Sequence, residues 1–233
     1  MKTKNIIKSL FHHTKRLLAL SFAFLFILTF LLFGSCKHSV NYFDYVSEFR
    51  NNIFLAETEN ICLRIYSVQK ESPYAADGIA NESTARTEIF LNAPTSTQNY
   101  AIYIKIEGTN YGGELSYDNV KAEYFLSFSL NVSEYKELPC LLSYEGKEIA
   151  LTAISVLCEE TISAKTVLDN VQAYEPELFA SMTDKYGFKG EIYLRLLYED
   201  APYYYVGIIK KNGDIYAFLV NATNGKVLAR RNP

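Results

Sequence analysis

The sequence predicts a mainly β protein with a small α+β end. We expect an antiparallel immunoglobulin-like β-sandwich, followed by one helix and a three- to four-stranded antiparallel sheet. The first observation is composition: the chain has 19 tyrosines and no tryptophan, and aromatic and β-branched residues favour half-buried strands. The second is that short alternating segments with turn residues between them recur over residues 53–156, which is typical of a sandwich. The third is a helical stripe that precedes a last group of alternating segments.

The first 35 residues have the layout of an export signal. Five basic residues and no acidic residue precede the apolar run of residues 17–33, which ends in Gly34 and Ser35. A basic region, an apolar region and a small-residue exit are the three parts of a signal peptide. We therefore predict a signal peptide over residues 1–35 and a short tether over residues 36–52.

The end of this run, Leu32-Phe33-Gly34-Ser35-Cys36, resembles the lipobox of bacterial lipoproteins. Phe33 departs from the family pattern, which prefers leucine there. The resemblance implies cleavage before Cys36, lipidation of Cys36, and a protein held at the cell membrane, facing outside, by acyl chains in the lipid bilayer. The alternative is an uncleaved leader that forms a single N-terminal transmembrane helix, for which the run is short; its basic flank would stay inside.

The charges are divided unevenly at Cys36. All 26 acidic residues but only 18 of the 23 basic residues follow it, so the mature chain carries a net charge of −8. Binding to a phosphate backbone needs basic patches, whereas an acidic surface suits solubility outside the cell. We predict no nucleic-acid partner.

The predicted sandwich domain covers residues 53–160. Residues 42–52 place Phe43, Val46 and Phe49 at helical spacing and are expected to form one or two helical turns or an irregular segment. Cys158 continues the apolar alternation of Ile154 and Val156, which predicts a buried thiol. Whether Cys62, Cys140 and Cys158 form a disulfide is left open. The strands are expected at residues 53–57, 61–68, 85–91, 100–107, 115–117, 121–132, 141–144 and 148–156.

The longest stretch without a strand pattern, residues 69–84, predicts a surface loop. Its proline, glycine, aspartate and asparagine give it turn chemistry. Binding residues occur on loops more often than on strands, so this loop is the first candidate for a contact surface. No metal site is predicted, because the oxygen-bearing side chains lack the EF-hand spacing that calcium binding would require. The candidate binding residues are Glu71, Tyr74, Asp77, Asn81 and Glu82.

The last predicted domain covers residues 161–233. Ser163 is a candidate N-cap for a helix over residues 164–174, whose apolar residues lie along one stripe. Pro176 interrupts that helix and can open a second, turn-rich segment. Asn212-Gly213 then predicts a tight hairpin. The strands are expected at residues 191–198, 203–210, 215–220 and 226–231.

This domain resembles a PepSY-type module, chiefly in the segment GDIYAFLVNATNGKVL of residues 213–228. Asn221 stands where the family usually has aspartate, and Asn224 where threonine is common. PepSY modules are exported or membrane-bound and are proposed to restrain peptidases or bind peptides in the cell envelope. The resemblance therefore implies a binding role, and the family offers no catalytic residue to transfer.

An inventory of reactive side chains argues against catalysis. The three histidines, His12, His13 and His38, all precede the folded body, which excludes histidine-based nucleophilic and zinc sites there. No cofactor is predicted, and the paired carboxylates Glu159-Glu160 and Glu199-Asp200 lie at element ends. We predict a non-enzymatic, surface-exposed lipoprotein that binds a peptide, a peptidase or another protein of the envelope. The alternatives are a structural or adhesion spacer and a carboxylate-based hydrolase.

Overall fold

The structure, a computed structural model, describes residues 40–73, 75, 77–94 and 99–233. The predicted signal peptide, the lipidation site Cys36 and the candidate residue Tyr74 lie outside these residues. Among the residues that are described, no helix combines the length and the apolar character needed to cross a membrane. Residues Asn41–Pro233 form one compact unit.

A 3-10 turn (Tyr42–Tyr45) leads into nine strands, two helices and six further strands. The helices are α1 (Ala164–Tyr174) and α2 (Pro176–Ser181). The strands before them are β1 (Val46–Glu57), β2 (Cys62–Glu71), β3 (Ser83–Asn92), β4 (Ala101–Ile106), β5 (Thr109–Glu114), β6 (Ser116–Asp118), β7 (Glu123–Phe128), β8 (Glu137–Tyr144) and β9 (Lys147–Ser155). The strands after them are β10 (Thr183–Asp184), β11 (Gly187–Phe188), β12 (Gly190–Tyr198), β13 (Pro202–Lys210), β14 (Ile215–Asn221) and β15 (Val227–Arg231).

Strand β1 is central to the sheet that the described residues form. Thirteen strands form one sheet, whose main order is β15-β14-β13-β12-β1-β2-β3-β7-β6. β1 is antiparallel to β2 and parallel to β12, and its far end also pairs with β9 through Phe54 and Leu55. β9 pairs in turn with β8, β8 with β4, and β4 with β5. Beyond the first half of β1 the sheet therefore has two arms: one runs from β1 through β2, β3 and β7 to β6, and the other from β1 through β9, β8 and β4 to β5.

The structure confirms a mainly β chain, and its described residues contain two α-helices and a large, mostly antiparallel sheet. It does not confirm an immunoglobulin-like sandwich, because the two arms are hydrogen-bonded to each other through β1 and β9. The arms share one apolar core, which Phe54, Leu63, Ile89, Ile102 and Leu142 fill with 0% exposure each. Alternation along the strands places these side chains on the inner faces.

The second half of the unit is a helix packed on antiparallel strands, as the sequence predicts. Ser163 caps α1, its Oγ accepting a hydrogen bond from the Thr166 amide at 3.1 Å. Val167, Leu168 and Val171 form the buried stripe of α1, which packs against β13 and β15. Burial of this stripe supplies most of the stability of a helix only three turns long.

Two local expectations from the sequence differ from the structure. Cys158 is exposed, and so is Ile154 on the same alternation, because β9 ends at Ser155 and its outer face is open to solvent. Residues 46–52 are not helical: they form the first half of β1, flanked by β2 and β12. Ser47, Glu48 and Asn52 are therefore buried polar residues. Because of them, the sequence of this central strand has the pattern of an amphipathic segment.

Candidate functional site

The loop predicted as a contact surface connects β2 and β3, and its residues have different environments. Glu71 ends β2, is 3% exposed, and its carboxylate accepts a hydrogen bond from the Asn81 amide. Glu71 therefore fastens the two ends of the loop together. Asp77 and Glu82 are exposed, and the Asp77 carboxylate accepts a hydrogen bond from the Ile79 amide at 3.0 Å.

The structure does not bring these candidate residues together in one pocket. Asn81 and Glu82 line a pocket of about 590 Å³ that also contacts Phe43 and Phe49. Glu71 and Asp77 instead act electrostatically on a carboxyl from β12, Glu191. Gly78 packs tightly against the backbone of the β13–β14 hairpin, since an added Cβ would lie 2.7 Å from the Lys211 nitrogen.

Glu191 is a fully buried carboxyl group. Its exposure is 0%, and neither side-chain oxygen has a hydrogen-bond partner among the described residues. Burial, followed by the negative charges of Glu71 and Asp77, raises its pKa to about 7, while the Ser47 hydroxyl acts in the opposite direction. Within the described chain, no three or more His, Cys, Asp or Glu side chains are placed to hold a metal ion. Because Glu191 is closed to solvent, it does not form an accessible reactive centre.

Two of the described cysteines, Cys62 and Cys140, have thiols whose pKa is raised. Burial raises the pKa of the Cys140 thiol to about 12 and, together with Glu57, also raises that of Cys62. A thiol with a raised pKa is a poor nucleophile near neutral pH. The paired carboxylates at Glu159-Glu160 and Glu199-Asp200 are exposed to solvent.

The face of the sheet opposite α1 carries charged and aromatic side chains that contact one another. Alternation places Glu191, Tyr193, Arg195 and Leu197 of β12 on this face, and Arg195 and Leu197 stand opposite Tyr205 and Tyr203 of β13. The Arg195 guanidinium lies 4.6 Å from the centre of the Tyr193 ring and 5.8 Å from that of Tyr205. These are cation–π contacts.

A buried carboxylate holds two cations of this face. Glu48, 5% exposed, accepts two hydrogen bonds from Arg195: Nε to Oε1 at 2.7 Å and Nη2 to Oε2 at 2.6 Å. Lys70 Nζ lies 3.9 Å from the same Oε2. This two-point pairing fixes the parallel contact between β1 and β12, because a guanidinium fork matches a carboxylate in only a few orientations.

Beside this ion pair, β1 and β12 separate and leave a cleft. Their pairing ends at Arg50 and Arg195, after which β1 bulges between Arg50 and Asn52 and continues along β2. β12 runs on to Tyr198 with β13 as its one remaining strand partner among the described residues. We call the space between the separated strands the Arg50 cleft; its volume is about 550 Å³.

The Arg50 cleft combines an apolar lining with a few polar groups. Its polar and aromatic side chains include Arg64 and Tyr66 from β2 and Tyr203 from β13. Ligand sites commonly have this make-up, with apolar surface supplying affinity and a few polar groups fixing orientation. The apolar lining is formed by Ile53, Leu55, Leu197, Leu219 and Leu228, and the remaining residues are Arg50, Tyr198 and Glu199.

Sequence reasoning did not identify the Arg50 cleft, since its walls come from strands that are far apart in the chain. Residues 46–52 mix polar and apolar side chains, and nothing in that pattern marks Arg50. Comparison of the chain with protein-family models, with curated proteins and with solved structures found no match.

Proposed function

We propose that this protein is a membrane-anchored, surface-exposed lipoprotein without enzymatic activity that binds a peptide or protein segment of the cell envelope. The observation that carries the binding role is the Arg50 cleft, an open and mostly apolar space between two separated strands. The lipobox resemblance at Cys36 supports the anchor, and acyl chains would hold the protein at the bilayer without a spanning helix.

The form of the cleft favours an extended chain as the ligand. The space opens where β12 loses β1 as a partner. This leaves a short strand flank at Leu197 and Tyr198, and extended peptides add to such flanks. Leucines and tyrosines from both walls supply apolar surface for alternate side chains. A ligand of this form would make main-chain hydrogen bonds for affinity and use the pockets for specificity.

The PepSY resemblance supports the same role, including restraint of an envelope peptidase. Its most specific structural expectation is a helix lying across the last sheet, and α1 packs against β13 and β15. Two further contacts join the helix region to the sheet: Asn170 Nδ2 donates to the Gly225 carbonyl at 3.3 Å, and the Ile162 amide donates to the Ala222 carbonyl at 2.8 Å.

The electrostatics of the exposed carboxylates lend no support to the hydrolase alternative. The pKa of Glu160 is lowered, chiefly by a hydrogen bond from its own backbone amide and then by one from Cys158. A general acid in glycoside hydrolysis needs a raised pKa instead. The spacer alternative predicts no ligand at all, so a binding experiment separates it from the proposal.

Binding is tested with residues 37–233 as purified protein. Random peptides are selected on the wild type and measured by calorimetry against Leu219→Arg, which fills the cleft with a charged side chain. We expect micromolar binding that falls by roughly a factor of ten or more in the variant, since a few buried contacts are worth about 1.4 kcal/mol or more. Leu228→Ala at the exposed β15 position serves as a milder variant of the same wall. Peptides that bind both proteins equally would place the binding site elsewhere.

The anchor is tested separately by labelled palmitate. Cells that express the wild type should incorporate label into the protein, and cells that express Cys36→Ala should not. Equal labelling of both proteins would contradict lipidation at Cys36, and membrane association of an unlabelled protein would support the retained-helix alternative.

A further inference from the structure

The positive charges around the Arg50 cleft are unequally neutralised. Arg195 and Lys70 share the carboxylate of Glu48, at 2.6 and 3.9 Å from Oε2. Arg64 Nη2 lies 2.6 Å from Glu123 Oε2. Arg50 has no carboxylate within ion-pair distance among the described residues.

Arg50 is held in place by neutral groups. Its Nη1 donates a hydrogen bond to the Leu196 carbonyl at 3.3 Å, and its guanidinium carbon lies 4.1 Å from the centre of the Tyr66 ring. Its Nε is buried and has no hydrogen-bond partner among the described residues, and the same holds for Nε of Arg64. A buried donor without a partner is unfavourable, and more so in a charged group. The guanidinium of Arg50 therefore lines the cleft without a carboxylate of the described residues to neutralise its charge.

The charge of Arg50 persists despite this environment. Burial is the main influence and lowers its pKa, Arg195 lowers it further, and Tyr66, Glu48 and Glu88 raise it. A guanidinium stays protonated in proteins, so burial makes the charge unfavourable without removing it. Glu199 also lines the cleft but is exposed to solvent and forms no ion pair with Arg50.

The position of Arg50 decides which end of a peptide it would meet. The cleft closes where β1 and β12 pair, at Arg50 and Arg195, and beyond them it is lined by Leu197 and Tyr198. A chain lying between the strands must therefore end near Arg50. Guanidinium forks bind carboxylates with two parallel hydrogen bonds, and the carboxylate that a terminating chain carries is its C-terminus.

We propose that the Arg50 cleft binds the C-terminal carboxylate of an extended apolar peptide, with Arg50 as the residue that selects it. This inference rests on the proposed peptide-binding function and names the ligand group recognised there. The apolar side chain next to the terminus lies against Leu197 and Leu219, and the carboxylate satisfies the guanidinium of Arg50.

The test compares matched ligands on the wild-type protein, residues 37–233. Short peptides rich in valine and leucine are each prepared as the free C-terminal acid, as the C-terminal amide, and as an amide with an internal glutamate. We expect calorimetry to show that the acids bind roughly tenfold to a hundredfold more tightly than the amides, because hydrogen bonds to charged groups contribute about 1.5–3 kcal/mol. The glutamate peptides should bind like the plain amides.

Variants then assign the preference to Arg50. Arg50→Gln should lower the affinity for the acids to that for the amides and leave the amides unchanged, whereas Arg50→Lys should keep part of the preference. Arg231→Gln, an exposed arginine at the end of β15, is the matched control and should change nothing. The ligand comparison needs no variant, so a folding defect in Arg50→Gln does not remove the test.

The outcomes separate this inference from the proposed function. Acids and amides that bind equally, and are both lost in Leu219→Arg, would overturn the selection of a C-terminus while peptide binding stands. Tighter binding of the glutamate peptides would likewise overturn it, in favour of internal acidic side chains. Absence of binding by every peptide would overturn both proposals.

Discussion

Glu48 joins two strands that are distant in the sequence. Its carboxylate is buried at the junction of β1 and β12 and receives both arms of the Arg195 fork, a contact across 147 residues. Removing one member of a buried pair leaves the other charge without compensation. The exposed pair between Lys165 and Asp169 on α1 is the natural comparison, since its side chains are 63% and 56% exposed.

We expect Glu48→Gln to lower the free energy of unfolding by about 3 kcal/mol, the lower end of the effect found when a buried ion pair is broken. Asp169→Asn should change it by less than about 0.5 kcal/mol. Urea denaturation followed by circular dichroism measures both. Similar effects of the two substitutions would show that solvent screens the Glu48 pair.

Glu191 should make stability depend on pH. Its pKa is about 7 in the folded protein against an ordinary value of 4.5, so the folded state binds the proton more tightly than the unfolded chain does. The free energy of unfolding therefore falls as pH rises between these two values. Below pH 4.5 the carboxyl is protonated in both states, and its contribution to stability is fully present. From about pH 5 to about pH 8 we expect this residue to remove about 2 kcal/mol of stability.

The substitution Glu191→Gln isolates this effect, because an amide of similar shape cannot ionise. Urea denaturation should show that it removes most of the loss of stability between the two pH values, and that it stabilises the protein at the higher one. Glu199→Gln is the control just past the opposite end of β12, where the side chain is exposed. A pH dependence that survives in Glu191→Gln would assign it to other groups.

At the scale of elements, the sequence predicts most strands and the helix α1, because their apolar residues recur with the period of a strand or of a helix. It misses β5, whose Thr109–Glu114 sequence contains two glycines and little apolar surface. It also misses the first half of β1, because strands on both sides allow polar residues to be buried there. Arg50 and Glu191 are not recognisable from the sequence either, because each has a neighbour more than a hundred residues away: Leu196 beside Arg50 and Glu71 beside Glu191.

The two glycines of β5 have different surroundings, so we expect one to tolerate substitution by alanine and the other not. Gly112 has φ +146°, and an added Cβ would lie 2.0 Å from the Ile102 carbonyl oxygen on β4; Gly113 has nothing within 4 Å of the same position. We expect Gly112→Ala to lower the free energy of unfolding by about 2 kcal/mol or more and Gly113→Ala by less than about 1 kcal/mol. Urea denaturation of the two variants tests this, and equal losses would contradict it.

At the scale of the whole molecule, the parallel pairing of β1 with β12 joins the two predicted domains in one sheet. The predicted boundary between residues 160 and 161 falls on the connection from β9 to α1. Two halves that share a central strand pair are expected to open together, since most of the stability of each half then depends on the other.

Native-state hydrogen exchange of Gly112→Ala tests this coupling. If the halves form one cooperative unit, the substitution in β5 should lower the protection of the most stable amides in β8 and in β13 by the same free energy. Gly113→Ala should lower neither appreciably. Loss of protection in β8 alone would show two independently folding domains.

The place of β1 in the sheet also determines the order in which the chain can fold. During synthesis β1 is completed early, but β12, its parallel neighbour, follows only after more than a hundred further residues. Contacts of such high sequence separation close large loops and form late. Until β12 arrives, one flank of β1 remains open, with Glu48 lacking its arginine. The open flank of β1 is therefore a site at which a partly folded chain is exposed to pairing with other chains.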